Sequence, residues 1–164
     1  MLRKKELLLI SCLRQDGRLS LTQASKRTHM PVSTLFEKLR RYNREFIRRT
    51  TILLNFEAMG YGTRASIFLR TNKDNRERLE KALLQEHQIN TMFRITNGWD
   101  FLIEVVFKNL QELQIFIERL EENHPVEKQI HFILRDLKKE DFLIPKKPTP
   151  TPVPVPESNP DSLK

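Results

Sequence analysis

The sequence predicts an α+β chain in two modules, an all-helical head followed by a module in which strands and helices alternate. Three observations predict it. The cationic surplus is confined to the first two fifths of the chain, short amphipathic helical stripes separated by turn signals fill the first 47 residues, and from residue 65 the periodicity switches between two and 3.6. The 164 residues carry a net charge of +8, and residues 1 to 64 hold 14 Lys and Arg against 5 Asp and Glu. Residues 65 to 164 hold 15 against 16, so the second module is nearly neutral. A basic first module beside a neutral second one points to a polyanion partner for the first and a different task for the second.

The head opens with a helix over about Lys4 to Gln15, on which Leu9, Ile10 and Leu13 form an apolar stripe and which Asp16-Gly17 ends as a turn. Ser20-Leu-Thr-Gln23 is a capping-box pattern that starts a second short helix through Thr28. His29 sits where the next turn requires positive φ, and Pro31 breaks the chain before a third helix over about Val32 to Asn43, capped by Ser33, with Leu35, Phe36 and Leu39 inward. Three short helices with a tight turn between the last two make a helix-turn-helix, winged-helix-like head over residues 1–47. Residues 48–62 follow as a hinge strand and linker, strand-like in Arg48-Arg-Thr-Thr-Ile-Leu-Leu54 and broken at Gly60-Tyr-Gly62.

Residues 63–143 alternate as strand 65–71, helix 75–87, strand 89–96, strand 99–107, helix 110–123 and strand 126–135. Leu79, Ala82 and Leu83 line the first of these helices, and Leu110, Leu113, Phe116, Ile117 and Leu120 the second. The order βαββαβ is that of a ferredoxin-like sandwich, two helices on one face of an antiparallel sheet. Asn97-Gly98 between two apolar runs specifies a type I′ turn and so a hairpin. The strand that follows is apolar on both sides, Phe101, Ile103, Val105 and Phe107 on one and Leu102, Glu104 and Val106 on the other. The helices cover one face, and the other is expected to meet a second subunit. A two-fold dimer would present two heads to successive turns of duplex DNA. Seven of the nine prolines fall between Pro145 and Pro160, so residues 144–164 read as a Pro-rich disordered tail.

In a helix-turn-helix the start of the second helix reaches base edges, which makes Ser33, Thr34, Glu37 and Lys38 the candidates for reading sequence and Arg40, Arg41 and Arg44 phosphate contacts. Arg18, Thr22, Gln23, Arg48 and Arg49 are further phosphate candidates, from the turn, the second helix and the segment after the third. Cys12 is the single cysteine and reads as a small buried hydrophobe; it excludes an internal disulfide and a thiolate-rich metal site. His87 and His124 read as helix C-terminal residues facing the dipole, and His131 points outward on the last strand. No metal spacing, catalytic constellation or glycine-rich phosphate loop is visible, so neither a cofactor nor a metal is expected. With neither an apolar run of spanning length nor a leader pattern, a cytoplasmic protein is the expectation.

Over about Lys4 to Asp141 the chain resembles the leucine-responsive regulator family, Lrp/AsnC or feast/famine regulators. The resemblance is carried by Leu9-Ile10 and Leu13 before Asp16-Gly-Arg-Leu-Ser20, by Leu21-Thr-Gln-Ala-Ser-Lys-Arg27, and by Met30-Pro-Val-Ser-Thr-Leu-Phe36 with Leu39-Arg-Arg41. Phe46-Ile47, Met59-Gly60 and Ile95-Thr-Asn-Gly-Trp-Asp-Phe-Leu-Ile-Glu-Val105 complete it. It implies a transcription regulator with a hinge strand that pairs with its mate, and a sandwich that dimerises and often builds tetramers or octamers. It also implies an amino acid or related effector bound near the loop joining the second and third sandwich strands. Where the family has Thr-Gly-x-Tyr-Asp, this chain has Thr96-Asn97-Gly98-Trp99-Asp100, so Thr96 and Asp100 carry over directly and Trp99 by aromatic analogy.

The reading is a sequence-specific, oligomeric DNA-binding regulator, not an enzyme, with an amino acid or related small molecule as the effector the resemblance implies. Two alternatives stay open: an architectural DNA-binding protein with little sequence preference, and a catalytic use of the fold similar to the tetrapyrrole decarboxylases, which would draw on His131 with Arg94 or Arg135.

Overall fold

The computed structural model describes residues 2–143, and the proline-rich tail lies outside them. The described chain divides into two compact units, one of residues 2–52 with 140–143 and one of residues Leu53–Lys139. The division falls within the 48–62 segment read as hinge and linker. Residues 140–143 join the first unit, where the Arg14 guanidinium meets the Glu140 carboxylate at 2.8 Å.

The first unit is three helices, α1 (Lys4–Gln15), α2 (Leu21–Thr28) and α3 (Val32–Glu45). Its core is Leu9, Ala24, Met30, Leu35 and Tyr42, with Ile10, Leu13, Leu19, Leu21, Leu39 and Ile47 packed around it. Cys12 is buried as expected. The α2 start is the capping box: the Gln23 amide donates to Ser20 Oγ at 3.2 Å while the Ser20 amide donates to Gln23 Oε1 at 3.1 Å. His29 ends α2 in the left-handed region at φ 53°.

Two expectations about α3 are corrected. Pro31, not Ser33, is its N-terminal boundary residue, its carbonyl accepting from the Leu35 amide at 3.0 Å, and Ser33 lies exposed inside the first turn. The buried stripe is Leu35, Leu39 and Tyr42, the i, i+4, i+7 spacing of one face; Phe36, about 100° round from Leu35, is 59% exposed.

Residues 48–55 take up no regular structure, so the expected hinge strand is not formed within one chain. A strand is stable only when its amides and carbonyls are paired, and among the described residues no strand lies against this segment. A 3₁₀ turn at Glu57–Met59, closed by Gly60 at φ 87°, leads into the second unit's sheet.

The second unit runs β1 (Thr63–Thr71), α4 (Arg76–Leu83), β2 (Ile89–Arg94), β3 (Phe101–Phe107), α5 (Leu110–Asn123) and β4 (Val126–Phe132). The sheet is antiparallel in the order β2-β3-β1-β4, the ferredoxin-like arrangement. Every element of this unit except α5 differs from its expected bounds. β1 begins two residues early. α4 stops at Leu83 because no apolar residue extends its Leu79–Leu83 stripe; the next position on that face is His87, which is exposed in a turn and so does not sit at a helix C-terminus. β2 and β3 are separated by Ile95–Asp100, whose last rung is the Ile95 amide on the Asp100 carbonyl at 3.0 Å. At the tip Asn97 and Gly98 have φ of 64° and 89°, the pair of positive values a type I′ turn requires. β4 ends at Phe132 rather than residue 135.

Leu79 and Leu83 of α4, and Leu113, Phe116, Ile117 and Leu120 of α5, pack on Ala65, Ile67, Leu69, Phe101, Ile103, Val105 and Phe107. Leu110, expected in that stripe, is the first residue of α5 and is 58% exposed. The opposite face is more polar than β3 alone suggests. Its register sets Phe93, Leu102, Phe68 and Gln129 in one row and Thr91, Glu104, Ser66 and His131 in the next.

His124 caps α5 and is buried, and burial, then the Arg78 charge, lowers its pKa from the ordinary 6.5. Desolvation thus outweighs the helix dipole, which would favour the cation. As pH falls below 6.5 the unfolded chain takes up this proton before the folded one, so stability of this unit declines with falling pH until the lower folded value is passed. Denaturant titrations across pH 7 to 5 should show that decline, and His124→Gln should flatten it.

Candidate nucleic-acid interface

α3 carries the candidate surface. With Leu35, Leu39 and Tyr42 turned inward, 3.6 residues per turn put Ser33, Glu37, Arg40 and Arg44 along the opposite side, and all four are exposed. Thr34 lies exposed at one flank of this stripe, and Val32 and Phe36 at the other, 43% and 59% exposed.

Lys38 and Arg41 do not share it. Glu6 of α1, only 7% exposed, accepts from the Arg3 amide at 2.8 Å, from Lys38 Nζ at 2.5 Å and from Arg41 Nη2 at 3.4 Å. These donors, the Arg3 amide first, hold the Glu6 carboxyl at about 2, and burial followed by the neighbouring Glu6 pushes the Tyr42 phenol up to about 12. Arg41 also meets Glu45 at 3.5 Å. Lys38, expected as a base reader, and Arg41, expected on phosphate, therefore join α3 to α1. A buried carboxylate must be compensated, and these are the cations that compensate it. Glu6, Lys38 and Arg41 line a cleft of about 700 Å³ with Leu2, Arg3, Glu45 and Phe46.

The remaining candidates surround α3. Thr22 and Gln23 are exposed in the first turn of α2, where Gln23 Oε1 is committed to the cap. Arg18 is exposed, its amide donating to Asp16 Oδ1 at 2.9 Å. Arg48 and Arg49 are exposed and precede Thr50, which passes so close to the α1–α2 turn that a Cβ on Gly17 would lie 3.3 Å from Thr50 Cγ2. The chain that carries Arg48 and Arg49 thus passes beside the turn that carries Arg18. Phe36, expected inward, is a surface residue, as its helical angle from Leu35, Leu39 and Tyr42 requires, and Val32 is exposed beside it.

The Thr96–Asp100 loop is built differently at its two ends. Thr96, Asn97 and Gly98 form the exposed tip. Trp99 packs its ring 5.9 Å from that of Phe68, and the Arg70 guanidinium stands 5.7 Å over it. Asp100 is pinned at both oxygens: Oδ2 accepts from the Thr71 amide at 2.9 Å and Oδ1 from Arg76 at 2.7 Å. The residues of the decarboxylase-like alternative are not brought together. Arg94 is on β2, on the helix-covered face with Phe101, and pairs with Glu80; His131 is on β4 at the other edge and on the other face. Arg135 lies beyond the end of β4. Among the described residues no cluster of metal-ligating side chains occurs, and no helix is long and apolar enough to cross a membrane.

Comparison with known proteins agrees with this construction. Residues 64–142 match the family model of the Lrp/AsnC ligand binding domain. The HTH-type transcriptional regulator FL11 of Pyrococcus furiosus is 26% identical over 140 residues, 85% of this chain and 93% of its own length. An uncharacterised HTH-type transcriptional regulator of the same organism is 22% identical over 82% of this chain and 91% of its own. Among solved structures, a transcriptional regulator of Neisseria meningitidis in complex with L-methionine aligns with TM-score 0.77 at 23% identity, covering 85% of this chain and 94% of that one. LrpC of Bacillus subtilis aligns with TM-score 0.78 at 16% identity, over 84% and 98%. A basic helix-turn-helix unit precedes this sandwich, and relatives align with the chain over nearly their whole length: residues 64–142 form an Lrp/AsnC ligand binding domain, in a chain similar throughout to HTH-type transcriptional regulators.

Proposed function

We propose that this regulator binds duplex DNA sequence-specifically as a symmetric oligomer, and that an amino acid or related small molecule acting at the Thr96–Asp100 loop modulates it. The observation that carries the reading is the exposed stripe Ser33, Glu37, Arg40 and Arg44 on α3, in the unit that holds the cationic surplus. Ser33, Thr34 and Glu37 stand in the first two turns, where base edges are reached, while Arg40, Arg44, Arg18, Arg48 and Arg49 hold phosphates. Thr22 and Gln23, at the start of α2, lie where that helix crosses the backbone.

Pairing of two chains is supported by the unpaired segment Arg48–Leu54, whose Ile52, Leu53 and Leu54 are 67%, 62% and 46% exposed. Apolar strand-forming residues left open in this way are a template for a second copy. Further assembly into tetramers or octamers belongs to the same reading. The methionine-bound Neisseria neighbour supports an amino-acid effector. Such a ligand shifts DNA affinity only by binding two assemblies unequally.

Selection of bound fragments from random duplexes, with and without a panel of amino acids, tests the proposal. The expected product is a two-fold related site with half-sites about 10 bp apart or a multiple of that spacing, enriched to a different extent in the presence of one effector. A pool that binds but never enriches would favour the architectural alternative.

A further inference from the structure

We infer that Val32 and Phe36 read thymine, through its 5-methyl group, in the major groove. The inference rests on the DNA-binding reading and assigns a base to one side of the same helix. Val32 and Phe36 are four residues apart, hence on one side of α3 within its first two turns, and are 43% and 59% exposed. A phenyl ring left in water at this level has no part in the head's core, which Leu35 and Tyr42 fill from a side of the helix about 100° to 120° away from it.

The same side continues into Arg40 and borders Ser33 and Glu37, so the apolar pair is flanked by a cation and by hydrogen-bonding groups. That mixture suits the major groove. The phosphates draw in Arg40, and of the four bases only thymine offers an apolar group on its groove edge. Membrane and protein partners fit the setting less well, because the apolar patch is two side chains wide and its neighbours are charged. With Lys38 held by Glu6, an apolar contact carries part of the discrimination that a long cation at position 38 would otherwise supply.

The test uses the full chain and a duplex obtained by the selection described above. Each thymine of a half-site is replaced singly by deoxyuridine, which lacks only the methyl group. At one or two positions affinity should fall about fourfold, the worth of one buried methyl group. Phe36→Ala should bind thymine and deoxyuridine duplexes equally, with its salt dependence unchanged because no charge is removed. Phe36→Leu, which keeps an apolar tip, should retain part of the discrimination. Equal affinity of the unsubstituted chain for thymine and deoxyuridine at every position would overturn the inference while leaving DNA binding intact. The inference would equally fall if Phe36→Ala altered sedimentation with the deoxyuridine response unmoved, since the ring would then be a subunit contact. Failure to bind any duplex would remove the DNA reading itself.

Discussion

Duplex binding should weaken by about 10³- to 10⁵-fold as salt is raised from about 50 to about 200 mM. The magnitude follows from counting exposed cations. Arg18, Arg40, Arg44, Arg48 and Arg49 are exposed in the head, and a symmetric pair of heads doubles them, enough for the 6 to 10 phosphate contacts that give so steep a dependence. Fluorescence anisotropy of a labelled duplex across a salt series measures the slope directly. Replacing Arg48 and Arg49 together by Ala should reduce it by about one for every phosphate that the variant no longer neutralises. Lys38→Ala should leave the slope nearly unchanged, because that ammonium already neutralises Glu6. A response to salt that is flat in the unsubstituted chain would contradict the DNA-binding reading.

Leu35→Ala should unfold the head and leave the sandwich standing. Leu35 is fully buried at the centre of a core with only five buried members, and truncation of such a side chain costs about 2–5 kcal/mol. A unit of this size has a total stability of the same order, so the loss is not absorbed. Circular dichroism should report fewer helical residues, duplex binding should disappear, and calorimetry should still record melting of the second unit, whose core shares no residue with the first. Retention of DNA binding by this variant would contradict the role given to the core beneath α3.

What could be read from the residues alone was whatever is encoded locally. Ser20 and Gln23 are three apart and satisfy each other's amides; His29 and Asn97 tolerate positive φ; alternation in Phe101–Phe107 sets one side inward. Each is decided by neighbours a few residues away, and each stands in the structure. The misjudged features depend on something farther off. Lys38 looks like any solvated cation until Glu6, 32 residues earlier, is placed against it. Arg48–Leu54 has the composition of a strand, but composition supplies no partner for its amides. The open side of the sheet looked apolar from β3 because Ser66, Thr91 and His131 come to it from three other strands. Phe36 is the exception, since helical geometry alone separates it from Leu35: adjacent residues on a helix stand about 100° apart.

The pinning of Asp100 bears on which small molecule the effector proposed for the hairpin tip could be. Thr71 and Arg76 take both of its oxygens, and it is the one acid between Thr96 and Asp100. An incoming ammonium group therefore finds no idle counter-charge on that tip and has to settle for neutral acceptors, the hydroxyl of Thr96, the amide oxygen of Asn97 and main-chain carbonyls. Under that proposal selectivity falls to shape and to the indole of Trp99, which would favour metabolites distinguished by their side chains over those distinguished by their amines.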